Sequence, residues 1–74
     1  TPEETVLFAD QARVALEALD GLPPDTRRAI ELYRIEGWTP EAIAAELGIS
    51  VATAHRMIRS GMVKIALSLD RASH

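Results

Sequence analysis

A chain of 74 residues, 47% of them apolar, makes one small domain with a thin core. It has no cysteine, which excludes disulfides and thiol chemistry, and its two isolated histidines do not make a metal site, so neither metal nor cofactor is expected. The net charge of −3 at first argues against a nucleic-acid partner, but Thr1 to Asp20 carry −4 and Ser50 to His74 carry +3, through Arg56, Arg59, Lys64 and Arg71 against Asp70. With one Phe, one Tyr, one Trp and no alternating strand pattern, the chain reads as all-α. Nothing resembles a signal peptide, and no apolar run approaches the ~20 residues of a membrane span. A cytoplasmic setting without membrane insertion is the expectation, and the missing initiator Met fits a piece of a longer protein.

The first helix opens at Thr1-Pro2-Glu3-Glu4, where Glu4 is placed to close a capping box with Thr1. Val6, Leu7, Ala9, Ala12, Val14, Ala15, Leu16 and Leu19 then make an apolar surface wider than one short helix needs. Core packing accounts for part of it, and a protein partner is the candidate for the rest. Asp20-Gly21-Leu22-Pro23-Pro24 breaks the chain. A second helix is expected from about Pro24 to Glu36, with Ala29, Ile30, Tyr33 and Leu32 inward and Arg27, Arg28, Glu31 and Arg34 outward or marginal. Arg27 is a candidate to hold a neighbouring carboxylate. Gly37 ends that helix, and Trp38 is read as sealing the joint rather than as a base-stacking platform.

Thr39 to Arg59, TPEAIAAELGISVATAHRMIR, reads as a helix-turn-helix. Thr39 caps a helix starting at Pro40, Gly48 takes the left-handed stop after Leu47, and Ser50 caps a final helix from Val51 to about Leu69. Ile43, Ala44, Leu47, Ile49, Ala54 and Ile58 are expected between the two helices. At 100° per residue, Ile58, Gly61, Met62, Ile65 and Leu69 share the buried side of the last helix. Ala52, His55, Arg56 and Arg59 gather on the opposite side near its start, which suits a major-groove reader. The competing reading is a solvated face that carries two arginines. Gly61 costs roughly 1 kcal/mol relative to Ala in a helix interior, and close packing against the first helix is the expected compensation. Asp70 to His74 are expected to fray.

Taken as one piece, ALDGLPPDTRRAIELYRIEGWTPEAIAAELGISVATAHRMIRSGMVKI resembles region 4 of bacterial sigma factors of the extracytoplasmic-function (ECF) group. Ala18-Leu19, Leu22-Pro23, Arg27, Glu36-Gly37, Ile43-Ala44 and Gly48-Ile49-Ser50 keep that register without gaps, and AHRMIR is similar to the subgroup serving iron-siderophore uptake under a membrane-spanning regulator. The resemblance implies a compact four-helix domain of the winged-helix-like, sigma region 4 type, spanning residues 1–74 with its helix-turn-helix at about 39–59. It implies recognition of the promoter −35 element, docking on the beta flap of RNA polymerase core, and control by an anti-sigma factor. By the same resemblance, Val51, Ala52, His55, Arg56 and Arg59 are candidates for base or groove contacts, and Thr39, Ser50 and Ser60 for phosphates. Ala54 stands where the family usually has a larger branched residue, and Gly61 where Ala is common. Region 2, which melts the promoter, has no counterpart in this sequence.

Two alternatives are a response-regulator-type helix-turn-helix effector domain, against which LPPDTRR and the spacing of Glu36-Gly37 argue, and a helical protein-binding module whose arginine face meets an acidic partner. An enzyme is not expected, because His55, Ser60 and Asp70 do not share a face and no glycine-rich phosphate loop is present.

Overall fold

The computed structural model describes residues 1–73. Four helices follow one another: α1 (Pro2–Asp20), α2 (Pro24–Ile30, continued by a π-helical turn, Glu31–Ile35), α3 (Pro40–Leu47) and α4 (Val51–Ala72). The expected all-α architecture is present, with no strand among the described residues. Its core is a cluster of Leu22, Ala29, Ile30, Leu32, Ile43 and Ile58, against which Leu19, Trp38, Leu47, Met62 and Ile65 pack.

Local chemistry fixes the ends of these helices. Thr1 and Glu4 form the capping box at the start of α1. Gly37, at φ 76°, turns the chain out of the π turn, and the Trp38 N–H reaches back to the Leu32 carbonyl at 2.9 Å. Trp38 is half-buried against the core, the sealing role expected of it. The π turn itself was not expected. Its mark is the Glu36 N–H donating to the Glu31 carbonyl five residues back, at 3.1 Å. A wider turn changes the rotation per residue, so the 3.6-residue pattern fails from Glu31 onward. Leu32 enters the core at 2% exposure, whereas Tyr33, expected inward, stays 38% exposed.

Gly61 is buried, but its close neighbour is α2 and not the first helix as expected. A Cβ built there would meet Ile30 and Thr26. The two helices approach so closely only because α4 carries no side chain at this point. α4 also runs further than expected, to Ala72, so most of the tail expected to fray is helical, and His74 lies outside the described residues.

The molecule is elongated, 43 × 21 × 15 Å with a radius of gyration of 13.8 Å, where a compact chain of this length would have about 11 Å. The extra length goes with α1. Only Val14, Ala15, Ala18 and Leu19 of that helix are half-buried, and residues 2–13 are exposed, with Val6 at 69% and Phe8 at 73%. Arg13 braces this helix by donating to Asp10 at 2.7 Å and Glu17 at 2.9 Å. The bond to Asp10, then that to Glu17, raises the Arg13 pKa. A raised cationic pKa gives a contribution lost only as pH climbs through it, here at the alkaline extreme. An apolar groove of about 300 Å³ opens where Leu16 and Leu19 of α1 and Ile35 of the π turn face Met62, Ile65 and Leu69 of α4.

Candidate nucleic-acid interface

The helix-turn-helix is built by α3, three turn residues and the start of α4. Thr39 Oγ1 accepts from the Ala42 N–H at 3.1 Å and so caps α3, which begins with Pro40 because proline has no N–H to leave unpaired. Gly48, at φ 69° and ψ 35°, takes the left-handed conformation that stops α3, and the Ile49 N–H returns to the Ala44 carbonyl at 3.0 Å. Ser50 Oγ then accepts from the Thr53 N–H at 3.1 Å and starts α4. Ile43, Ala44, Ala54 and Ile58 are buried between the helices, with Leu47 and Ile49 half-buried, as expected. Ala54 has no exposed surface at all, so its small size is what lets α4 lie close to α3.

This packing leaves the opposite side of the α4 start bare. Val51, Ala52, His55, Arg56 and Arg59 are all exposed, as are Thr39, Ser50 and Ser60. Ala52, His55, Arg56 and Arg59 lie at i, i+3, i+4 and i+7 and therefore form one face. Ala52 is small enough for a close approach, His55 can donate or accept, and the two guanidiniums supply forked donors suited to base edges or phosphates. A helix start also presents N–H groups that no intrahelical carbonyl takes, here those of Val51 and Ala52.

One residue escaped the sequence reading. Thr53 Oγ1 accepts from Ser50 Oγ at 2.9 Å and from an Arg56 guanidinium N–H at 3.0 Å. Ser50, Thr53 and Arg56 thus form a chain at i, i+3, i+6 that holds Arg56 against its own helix. The signal was available, since a hydroxyl three residues before an arginine can reach it on a helix. Two of the three proposed phosphate ligands, Thr39 and Ser50, already use a side-chain oxygen as a helix cap, while Ser60 stands further along α4. The Ser50 hydroxyl proton goes to Thr53, whereas that of Thr39 remains for an anion.

A family model described as Sigma-70, region 4 matches residues 12–65, which takes in the end of α1, all of α2 and α3, and most of α4. Among curated proteins, the chain is 34% identical over 58 residues to the probable RNA polymerase sigma factor RfaY of Xanthomonas campestris pv. campestris, covering 78% of this chain and 14% of that protein. It is 42% identical over 53 residues to the RNA polymerase sigma factor CarQ of Myxococcus xanthus, covering 72% of this chain and 30% of that protein. It is 46% identical over 44 residues to the ECF RNA polymerase sigma factor SigE of Mycolicibacterium smegmatis, covering 60% of this chain and 17% of that protein. The chain therefore spans less than a third of the length of these relatives.

Proposed function

The chain belongs to the sigma-70 region 4 family, and from that premise and the bare N-terminal face of α4 we propose that it reads the −35 element of promoters as part of an ECF sigma factor. The observation that carries the reading is the exposed set Ala52, His55, Arg56 and Arg59 at the start of a helix anchored from behind by Ala54 and Ile58. In this reading the first turns of α4 enter the major groove. Val51 and Ala52 allow close approach, His55, Arg56 and Arg59 address base edges, and Thr39, Ser50, Ser60 and the free N–H groups of the helix start meet phosphates. Thr53 pre-orients Arg56, so less side-chain freedom is lost on binding.

Sigma factors act with RNA polymerase, and the apolar groove between α1, the π turn and α4 suits an apolar segment of the beta flap. Its rim includes Arg34, which would pair with an acid on that segment. The exposed Val6, Leu7 and Phe8 of α1 suit an anti-sigma factor or a membrane-spanning sigma regulator. Among the described residues, no helix is long and apolar enough to cross a membrane.

The test is fluorescence anisotropy with short promoter duplexes and a scrambled control, at low and moderate salt. Selective binding that weakens with salt is expected, and replacing both Arg56→Ala and Arg59→Ala should abolish selectivity while the helical circular dichroism stays unchanged. Unchanged selective binding by the double variant would overturn the assignment of this face.

A further inference from the structure

A second groove, of about 370 Å³, shares no lining residue with the apolar groove ascribed to the polymerase. Ala18, Gly21 and Leu22 at the α1–α2 corner form one wall, and Lys64, Leu67 and Arg71 of α4 form the other. Two features set it apart from ordinary surface. Leu67, in the lining, is 53% exposed, and Val63, one turn earlier and outside the lining, is 50% exposed, so α4 shows water an apolar strip that starts one turn beyond Arg59. Lys64 and Arg71 bracket Leu67 two turns apart, about 10 Å along the axis, and no acidic residue lines the groove. Asp70 is exposed, is not in the lining, and sits on the side of α4 turned away from Lys64.

An apolar floor between two cations selects its ligand by chemistry. Duplex DNA or a free phosphate would pair with Lys64 and Arg71 but gain nothing from Leu67 and Val63, since apolar area is rewarded only when another apolar surface covers it. A protein helix with an apolar side chain between two carboxylates satisfies both features at once. We propose that this groove docks an acidic amphipathic helix of a partner protein, whose leucine-sized side chain covers Leu67 against the wall formed by Ala18 and Gly21 while carboxylates two turns apart meet Lys64 and Arg71. Lys64 lies eight residues, about 12 Å, beyond Arg56 along α4 and one turn, about 6 Å, beyond Ser60, so the partner helix leaves the first turns of α4 open and approaches the proposed DNA face only at its far edge. The inference rests on the groove alone and does not require the promoter reading.

The probe is a synthetic helical peptide with the pattern Glu-x-x-Leu-x-x-x-Glu on an otherwise Ala/Gln background, titrated into the isotope-labelled chain while backbone amide shifts are recorded. Saturable shifts at Gly21, Leu22, Leu67 and Ser68 are expected. A Lys64→Glu/Arg71→Glu variant should bind the peptide about tenfold or more weakly, because two attractions become repulsions. A Leu67→Ser variant, neutral in charge, should weaken it as well, and all three altered side chains are exposed enough for the fold to be retained, checked by circular dichroism. A control peptide with Ser in place of Leu should bind at least about tenfold more weakly than the parent. Absence of saturable shifts, or equal binding by the Ser control, would overturn the proposal. So would a Lys64→Glu/Arg71→Glu variant that loses duplex affinity but keeps peptide affinity, since the cations would then belong to DNA. Failure of duplex binding by the unaltered chain bears on the promoter reading alone.

Discussion

Gly61→Ala sets two opposed effects against each other at a single atom. Alanine is about 1 kcal/mol better than glycine in a helix interior, so an exposed glycine here would simply be a weak point to repair. At Gly61, however, the added Cβ would lie 2.8 Å from Ile30 Cγ1, 2.9 Å from Ile30 Cδ1 and 3.2 Å from Thr26 Cγ2. Ile30 is 3% exposed and β-branched, with few rotamers to retreat into. Overpacking of this kind costs about 1–3 kcal/mol, which outweighs the propensity gain. The net expectation is a loss of about 1 kcal/mol, a fall in Tm of about 4–8 °C for a domain this small. Thermal unfolding followed by circular dichroism reads it directly. An Ile30→Val background, which lacks the Cδ1 methyl, should shrink the penalty and give a measurable coupling between the two sites. A rise in Tm on Gly61→Ala in the unaltered background, or a penalty identical in both backgrounds, would refute the claim that α2 and α4 are in contact through this glycine.

Further expectations follow from the caps, the turn and the exposed part of α1. Thr39→Ala and Ser50→Ala each remove a cap and should each cost about 1 kcal/mol in urea unfolding; a change near zero would mean that water replaces the cap fully. Gly48→Ala should cost about 1–2 kcal/mol from backbone strain alone, as nothing lies within 4 Å of the added Cβ, and Gly48→Asn should cost less than Gly48→Ala in the same assay. Leu7→Glu with Phe8→Glu should change stability by less than about 0.5 kcal/mol, and a larger loss in thermal unfolding would show that these side chains are covered in solution.

Sequence reading went furthest where local chemistry decides the structure. Thr1, Thr39 and Ser50 are caps, Gly48 is a left-handed stop, and Ala54 is buried, each because a short-range requirement admits few residue types. It went astray where the outcome depends on a neighbouring element. The π turn at Glu31–Ile35 comes from no propensity in ELYRI. It accompanies Leu32 in the core cluster with Ile43 of α3 and Ile58 of α4, and Tyr33 outside it, a tertiary arrangement that local propensity does not encode. Gly61 was legible as a close contact, but its partner was not, because periodicity identifies the buried side of α4 without saying which helix covers each turn. The candidate site was legible as a face for the same reason that α4 was legible as amphipathic. The link from Ser50 through Thr53 to Arg56 was present in the spacing but was passed over, because a threonine at a helix start usually counts as a modest helix former and no more.

The acidic net charge and the proposed DNA face are reconciled by where the charges sit. The last turns of α1, with Glu17 and Asp20, lie at the level of α4 residues Met62 to Arg71, as the lining of the two grooves shows. Most of that stretch is beyond Arg56 by roughly 9–22 Å along the helix axis, and exposed charges separated by more than about 10 Å are largely screened at 0.1 M salt. The field at the start of α4 is therefore set by Arg56, Arg59 and the helix N-terminus, with Glu41 and Glu46 of α3 as the acids on the neighbouring helix. So few cations neutralise few phosphates, and affinity of the isolated chain should be modest whatever its specificity. A second attachment raises the effective concentration of the first, so on the proposed reading the apolar groove ascribed to the polymerase is what would make so sparse a charge set sufficient. On that reading selectivity would reside in α4, and binding strength in the polymerase contact that holds α4 near DNA.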